Sequence, residues 1–233
     1  MSLPTTTTPT YTLTVPSTKQ KIKFRPYYVK EEKVLFTALQ QEEPQQIADA
    51  IQNLVTSCIL TPDFNLSDLC VADIEYIFIN LRSESVGSEV QVVVYAPDDR
   101  ETEVPFKIDI SKVKVTFTKG HTKKIQIREN LWVDMKYPSL QDYVNVDDNV
   151  DSGFKLASKC IDRMYDDEHV WDEGTTTPEE MLTFVETLTN KEYAKIKQFF
   201  DTMPVLKHVI KLKNPKTKYE FEYVVRGIAD FFQ

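Results

Sequence analysis

Leu69, Cys70, Val71, Ile74, Ile77, Phe78, Ile79 and Leu81 fall on nearly every side of a helix. A helix that is apolar around most of its circumference must be enclosed by other elements, so this segment sets the centre of any fold the chain can adopt. It is too short for a membrane span, and it carries Asp73, Glu75 and Asn80 within its length. Asn65, with Asp68 three residues on, is the expected N-cap of this third helix. Gly87 closes it after "LRSESVG".

The elements that could enclose it are read from periodicity. Tyr11, Leu13 and Val15 alternate with threonines, and Ile22 and Phe24 alternate with Lys21, Lys23 and Arg25. This period of two predicts a hairpin with "PSTKQ" as its turn, ended by Pro26. A helix is expected over residues 29–41 with Val34, Leu35, Ala38 and Leu39 on its apolar side, and Glu31 and Glu32 at its positive end. A second, amphipathic helix starts at Pro44 and carries Ile47, Ala50, Ile51, Leu54, Val55, Cys58 and Ile59.

From Glu89 to Met135 the period returns to two, and four or five antiparallel strands are expected, with "PDDRE" and "KGHT" as turns. Helices follow: a short one capped by Ser139 with Asp142, and one over residues 152–165 burying Phe154, Leu156, Ala157, Cys160, Ile161 and Met164. Two more open on Thr177-Pro178-Glu179-Glu180 and on Thr189 with Glu192. Leu206, His208, Ile210 and Leu212 face Tyr219, Phe221, Tyr223 and Val225 across the turn "NPKTK". The expected class is α+β: an N-terminal β-hairpin and three helices, an antiparallel β-rich middle, a second helical region and a C-terminal β-hairpin. Changes of period suggest parts at residues 1–87, 88–137 and 138–233, with the alternative that the last forms one compact unit with the first.

The net charge of −8 is uneven. Asp142 to Glu180 holds 12 acidic and 3 basic residues, which opposes nucleic-acid binding. Lys19, Lys21, Lys23, Arg25, Lys30 and Lys33 form either a solvated hairpin face or a basic patch. Cys58, Cys70 and Cys160 lack the spacing of a disulfide framework and read as buried thiols. The start "MSLPTTTTPTYTLTVPS" has neither the basic nor the apolar run of a signal peptide, so a cytosolic setting is expected.

Searches for chemistry return little. There is no phosphate loop, dinucleotide fingerprint or nucleophile elbow. His121 reads as a solvated turn residue and His208 as a structural one. Cys160, His169 and Asp172 can be written as a triad, but the cysteine sits on an apolar helix face. Asp147, Asn149 and Asp151 alternate as in a calcium loop, yet Gly153 falls at position seven and Ser158 at position twelve, where a glutamate is needed. "DRMYDDEHVWDE" reads as a solvated acidic face or a patch for a basic partner. No catalytic residue, metal or cofactor is expected.

Two stretches carry a resemblance. "FRPYYVKEEKVLF", from Phe24 to Phe36, and "DIEYIFINLRSESVG", from Asp73 to Gly87, together resemble the baseplate hub assembly proteins of T-even-type contractile-tailed phages. The ending "GIADFF" is similar to the family's terminal pattern. The resemblance implies a non-enzymatic hub component or assembly factor that works through contacts with other tail and baseplate hub proteins. It implies no nucleic acid, membrane or small-molecule substrate. It also implies a location in the host cytoplasm during assembly and allows a further one in the virion tail baseplate. Some relatives are understood to carry C-x-x-C pairs on the terminal hairpin. Here "LKNPKTKYEF" has none, so packing of Tyr219, Phe221 and Tyr223 is expected to hold it. The expected partner contacts are Arg25, Lys30, Arg82, Phe231 and Phe232. The alternatives are an enzyme with a carboxylate site in residues 162–173 and a generic cytosolic adaptor.

Overall fold

The computed structural model describes residues 8–41, 43–144 and 150–226. The chain is α+β. It forms two compact units, Met1–Thr116 with Val205–Gln233, and Phe117–Pro204. The three-part division at residues 87 and 137 marks changes of hydrophobic period rather than compactness, and it stands as a proposal about folding parts.

In the first unit, β1 (Tyr11–Thr14) and β2 (Lys21–Phe24) pair antiparallel, with Leu13 opposite Ile22. Alternation buries Ile22 and Phe24 and leaves Lys21 and Lys23 outside. The other edge of β2 is covered by the chain beyond the second helix: Arg25 N donates to Cys58 O (3.0 Å) and Leu60 N to Lys23 O (2.8 Å). Helices α1 (Val29–Gln41) and α2 (Pro44–Cys58) follow as expected. Val34 departs from expectation and is 60% exposed. The buried stripe of α1 runs through Leu35 and Ala38, and Val34, one turn before Ala38, borders it where an open groove separates α1 from α2.

The central helix α3 (Val71–Ser85) starts later than the sequence suggests. Asn65 caps only a single 3-10 turn, Leu66–Asp68, by accepting from Ser67 N. The backbone then extends at Leu69 (φ −97, ψ 146), so Leu66 and Leu69 are both buried, and Cys70 becomes the N-cap of α3. Ile77, Phe78 and Leu81 are fully buried, and α3 touches α2, β5 (Lys114–Thr116) and β10 (Val205–Lys213).

Strands β3 (Glu89–Tyr95) and β4 (Glu103–Asp109) form a hairpin whose inner pairs are Val90 with Ile108, Val92 with Phe106 and Val94 with Val104. The C-terminal hairpin, β10 with β11 (Glu220–Arg226), is joined on its other side by β5 in the order β11-β10-β5.

The second unit is a four-stranded antiparallel sheet in the order β6 (Lys124–Arg128), β7 (Leu131–Met135), β8 (Ile161–Tyr165) and β9 (Val170–Asp172). Its helices are α4 (Leu140–Val144), α5 (Val150–Lys159), α6 (Pro178–Glu186) and α7 (Asn190–Thr202). The expected capping boxes at Thr177 with Glu180 and at Thr189 with Glu192 are both present. The expected helix over residues 152–165 is corrected: it ends at Lys159, and β8 begins at Ile161. A register shift against β7 sets Met135 opposite Ile161 and Val133 opposite Met164. This bulge puts two apolar residues three apart on one face of a strand, a spacing that imitates a helix.

His121 is also corrected, because it is half-buried rather than a solvated turn residue. Its Nδ1 lies 2.9 Å from Thr202 Oγ1 and its Nε2 3.0 Å from Tyr137 Oη. Thr202 donates its own hydroxyl to Gln198 O (2.7 Å). It therefore accepts from Nδ1–H, while Nε2 faces the Tyr137 hydroxyl, which can donate to a neutral ring. Burial, and then the charge of Lys123, lowers the His121 pKa from 6.5. The unfolded chain thus binds this proton more readily than the folded one, so stability falls as pH drops below about 6.5. His121→Phe is expected to flatten that part of the profile, as read by urea unfolding between pH 7 and pH 5.

Candidate interaction surface

The first signature stretch is built around Arg25. Pro26 ends β2, and the chain turns at Tyr28 into α1. Glu31, in the first turn, accepts from Tyr28 N at 2.7 Å, closing the helix start. The Arg25 guanidinium meets both oxygens of that carboxylate, at 2.9 and 2.7 Å. It also donates to Pro26 O (2.9 Å) and to Ser57 O (3.0 Å). Ser57 O belongs to the last turn of α2, where carbonyls lack helical partners. The guanidinium stands 4.2 Å from the centre of the Tyr28 ring. The side chains of Arg25 and Glu31 are only 15% and 14% exposed. Arg25 is therefore engaged inside the chain, tying β2, α1 and α2 together.

The Arg25 hydrogen bonds chiefly, with that of Tyr28 N, hold the Glu31 carboxyl down at about 2 against the usual 4.5. A depressed carboxyl contributes stability above its unfolded pKa and loses it as pH falls through the folded value, here between about 4.5 and 2. Arg25→Ala is expected to raise the Glu31 pKa toward 4.5, as followed by NMR of its carboxyl carbon.

The second signature meets the first. Tyr27 N donates to Ser85 Oγ at 3.0 Å, and Ser85 Oγ donates to Leu81 O at 2.6 Å. Burial, and then the charge of Glu32, pushes the Tyr27 hydroxyl up to about 12. Arg82 donates to Gly87 O at 3.3 Å, which places its charge at the negative end of α3. Gly87 has φ +132, a conformation that side chains rarely adopt, and it lets the chain leave α3 for β3. At the other end of α3, the fully buried Asp73 accepts from Ser17 N (3.0 Å), Ser17 Oγ and Cys70 Sγ (3.2 Å). It thereby fixes the β1–β2 turn to the helix start.

Outside this scaffold, Lys30 and Lys33 are exposed on α1. The ammonium of Lys30 lies 5.7 Å from the Tyr28 ring centre. Val29 (81%), Phe36 (51%) and Val86 (59%) are exposed as well. Phe231 and Phe232 lie outside the described residues.

The C-terminal hairpin has its own anchor. Tyr219 and Phe221 stack at 6.5 Å, and Tyr223 meets Phe106 edge-on at 5.7 Å. The turn itself, however, is held by polar contacts. Asn214 is fully buried. Its Nδ2 donates to Asp98 Oδ1 (3.0 Å) and Asp99 Oδ2 (3.1 Å), and its Oδ1 accepts from Lys216 N (2.8 Å) and Thr217 N (3.3 Å). The β10–β11 turn is thus fastened to the β3–β4 turn.

The remaining chemical candidates separate. Cys160 is buried, and burial pushes its thiol up to about 12, far from a thiolate nucleophile. His169 Nδ1 lies 3.4 Å from Asp166. Backbone N–H groups of Glu168 and His169 lower the Asp166 carboxyl from its ordinary value. Asp147 and Asn149 lie outside the described residues, while Asp151 and Gly153 belong to α5. Among the described residues no His, Cys, Asp or Glu cluster could hold a metal ion, and no helix is long and apolar enough to cross a membrane.

Sequence reasoning missed Glu31, Asp73 and Asn214 as keystones. Asp73 left a trace, as a lone carboxylate near the start of a helix otherwise apolar all round.

The molecule is thus an α+β protein whose signature residues lock its framework and leave a basic, partly apolar helix face outside. A family model described as T4 bacteriophage base plate protein matches residues 8–233, and the chain belongs to that family. Comparison with curated proteins and with solved structures gives no match.

Proposed function

We propose that this baseplate protein is a component of the tail baseplate hub, or a factor that promotes hub formation. It works through contacts with other baseplate proteins and without catalysis. The family match across residues 8–233 carries this reading. The hub assignment rests on the likeness of the two signature stretches, and the contact surfaces are the exterior of α1 around Lys30, the end of α3 near Arg82, and Phe231 with Phe232. The protein acts in the host cytoplasm during assembly. Mass spectrometry of purified virions and of assembly intermediates tests the reading. A hub subunit is found in both, and an assembly factor in intermediates alone.

A further inference from the structure

We propose that the outer face of the β6-β7-β8-β9 sheet pairs with the same face of a second copy of this chain across a two-fold axis. The strand registers arrange the side chains of this sheet in rows. One row, Ile125, Val133 and Met164, points inward and packs with α6 and α7 through Val185 and Ile196. The rows on either side of it point outward. The first is Lys124, Asp134, Arg163 and Asp172, and the second is Gln126, Trp132, Tyr165 and Val170. A sheet face that meets only water ordinarily carries polar residues. Here the second row sets an indole, a phenol and a valine side by side, all outside the core cluster of the unit, with Val170 55% exposed. The Lys124 ammonium lies 4.8 Å from the Trp132 ring centre and 5.1 Å from that of Tyr165, so both rings stand on this face. Neighbouring Trp and Tyr side chains commonly anchor the centre of a protein contact.

The charged row selects the occupant. Read from β6 to β9 it alternates cation, anion, cation, anion, and its charges cancel. It therefore favours neither an acidic nor a basic partner, and it matches charges that alternate at the strand spacing of about 4.8 Å. A second copy supplies them. A two-fold axis parallel to the strands sets β6 against β9 of the second copy and β7 against its β8. Reversed in this way, the row presents the opposite sign at every position. Lys124 meets Asp172 and Asp134 meets Arg163, each pair formed twice. The same rotation lays Trp132 against Tyr165 at the centre, where stacked sheets stand about 10 Å apart. Within one chain the Arg163–Asp134 bond uses Nε and Oδ2, at 2.8 Å. The outer guanidinium nitrogens and Asp134 Oδ1 are left to reach the second copy. Gly174 N–H holds Asp172 by Oδ1 (3.0 Å), which leaves its Oδ2. The pairing does not depend on the baseplate reading, which a monomeric chain would leave intact.

Analytical ultracentrifugation of the full chain tests this. The chain is expected to pass from monomer to dimer as its concentration rises and to stop there, because a two-fold contact closes on itself. A chain that stays monomeric at every concentration overturns the proposal. Asp134→Arg turns the row into three cations and one anion, and Arg163→Asp turns it into one cation and three anions. Each variant then sets like charges together at the β7–β8 positions and is expected to weaken its own dimer by about a hundred-fold. Mixed in equal amounts, the two variants oppose cation and anion at all four positions, so the mixture is expected to restore the dimer. Circular dichroism checks that each is folded. Single variants that dimerise normally, or folded variants whose mixture stays monomeric, overturn this face as the contact.

Should either variant fail to fold, a photo-crosslinking residue at position 170 of the otherwise unaltered chain decides. With isotopically light and heavy copies mixed, the expected product joins position 170 of one copy to residues 124–128 of another. Links confined to one copy, or made to any other part of the second copy, overturn the proposal.

Discussion

Asp73→Ala is expected to lower the unfolding free energy of the first unit by about 3 kcal/mol, because it strips the acceptor from buried donors and opens a hole beside them. The side chain is fully buried and forms no ion pair among the described residues. In the first turn of α3 it accepts from the Ser17 N–H, the Ser17 hydroxyl and the Cys70 thiol. Deletion leaves those groups without their acceptor, and it frees the β1–β2 turn from the helix that the unit surrounds. Asp73→Asn keeps an acceptor in place and should cost less, about 1 kcal/mol. Urea unfolding of the two variants, with Ser17→Ala to close a double-mutant cycle, measures the coupling. Independent, additive effects would show that the turn and the helix are not joined through this contact.

Asn214→Ala is expected to cost about 2–3 kcal/mol, since one fully buried amide satisfies two turns at once and its loss leaves polar groups unpaired. Asn214→Asp should be worse at neutral pH. It places a third carboxylate against Asp98 and Asp99, which are already held in their charged forms by hydrogen bonds. That excess damage should shrink in acid as the new carboxyl takes a proton, whereas the alanine variant gains nothing by the same route. Equal damage from both substitutions across pH would mean that Asn214 acts by packing alone.

These two residues also show where reading the sequence stops. The period of two revealed β1–β2 and β10–β11, and the period of 3.6 with its caps revealed α1, α2 and the starts of α6 and α7. Such signals are local. The contacts that fix the molecule are not: Ser17 is 56 residues from Asp73, and Asp98 is 116 from Asn214. The strands between Glu89 and Met135 read as one run, but they are shared among three sheets, because β5 pairs with β10 far along the chain. β8 was hidden by its bulge. Arg25 continued the alternating cations of β2 and so read as a surface charge. Only the turn at Pro26 brings Glu31 under it. The α1 exterior was legible as basic, but Val34 was assigned to the core, so its apolar character was not.

The reading as a whole turns on whether this chain joins other baseplate proteins during tail assembly. Quantitative mass spectrometry of baseplate intermediates purified from infected cells measures that most directly. The expected result is that the chain co-purifies in fixed proportion with other baseplate proteins, whether or not it stays in the finished virion. Its absence from intermediates and virions alike, while it is present in the infected cell, would contradict the account.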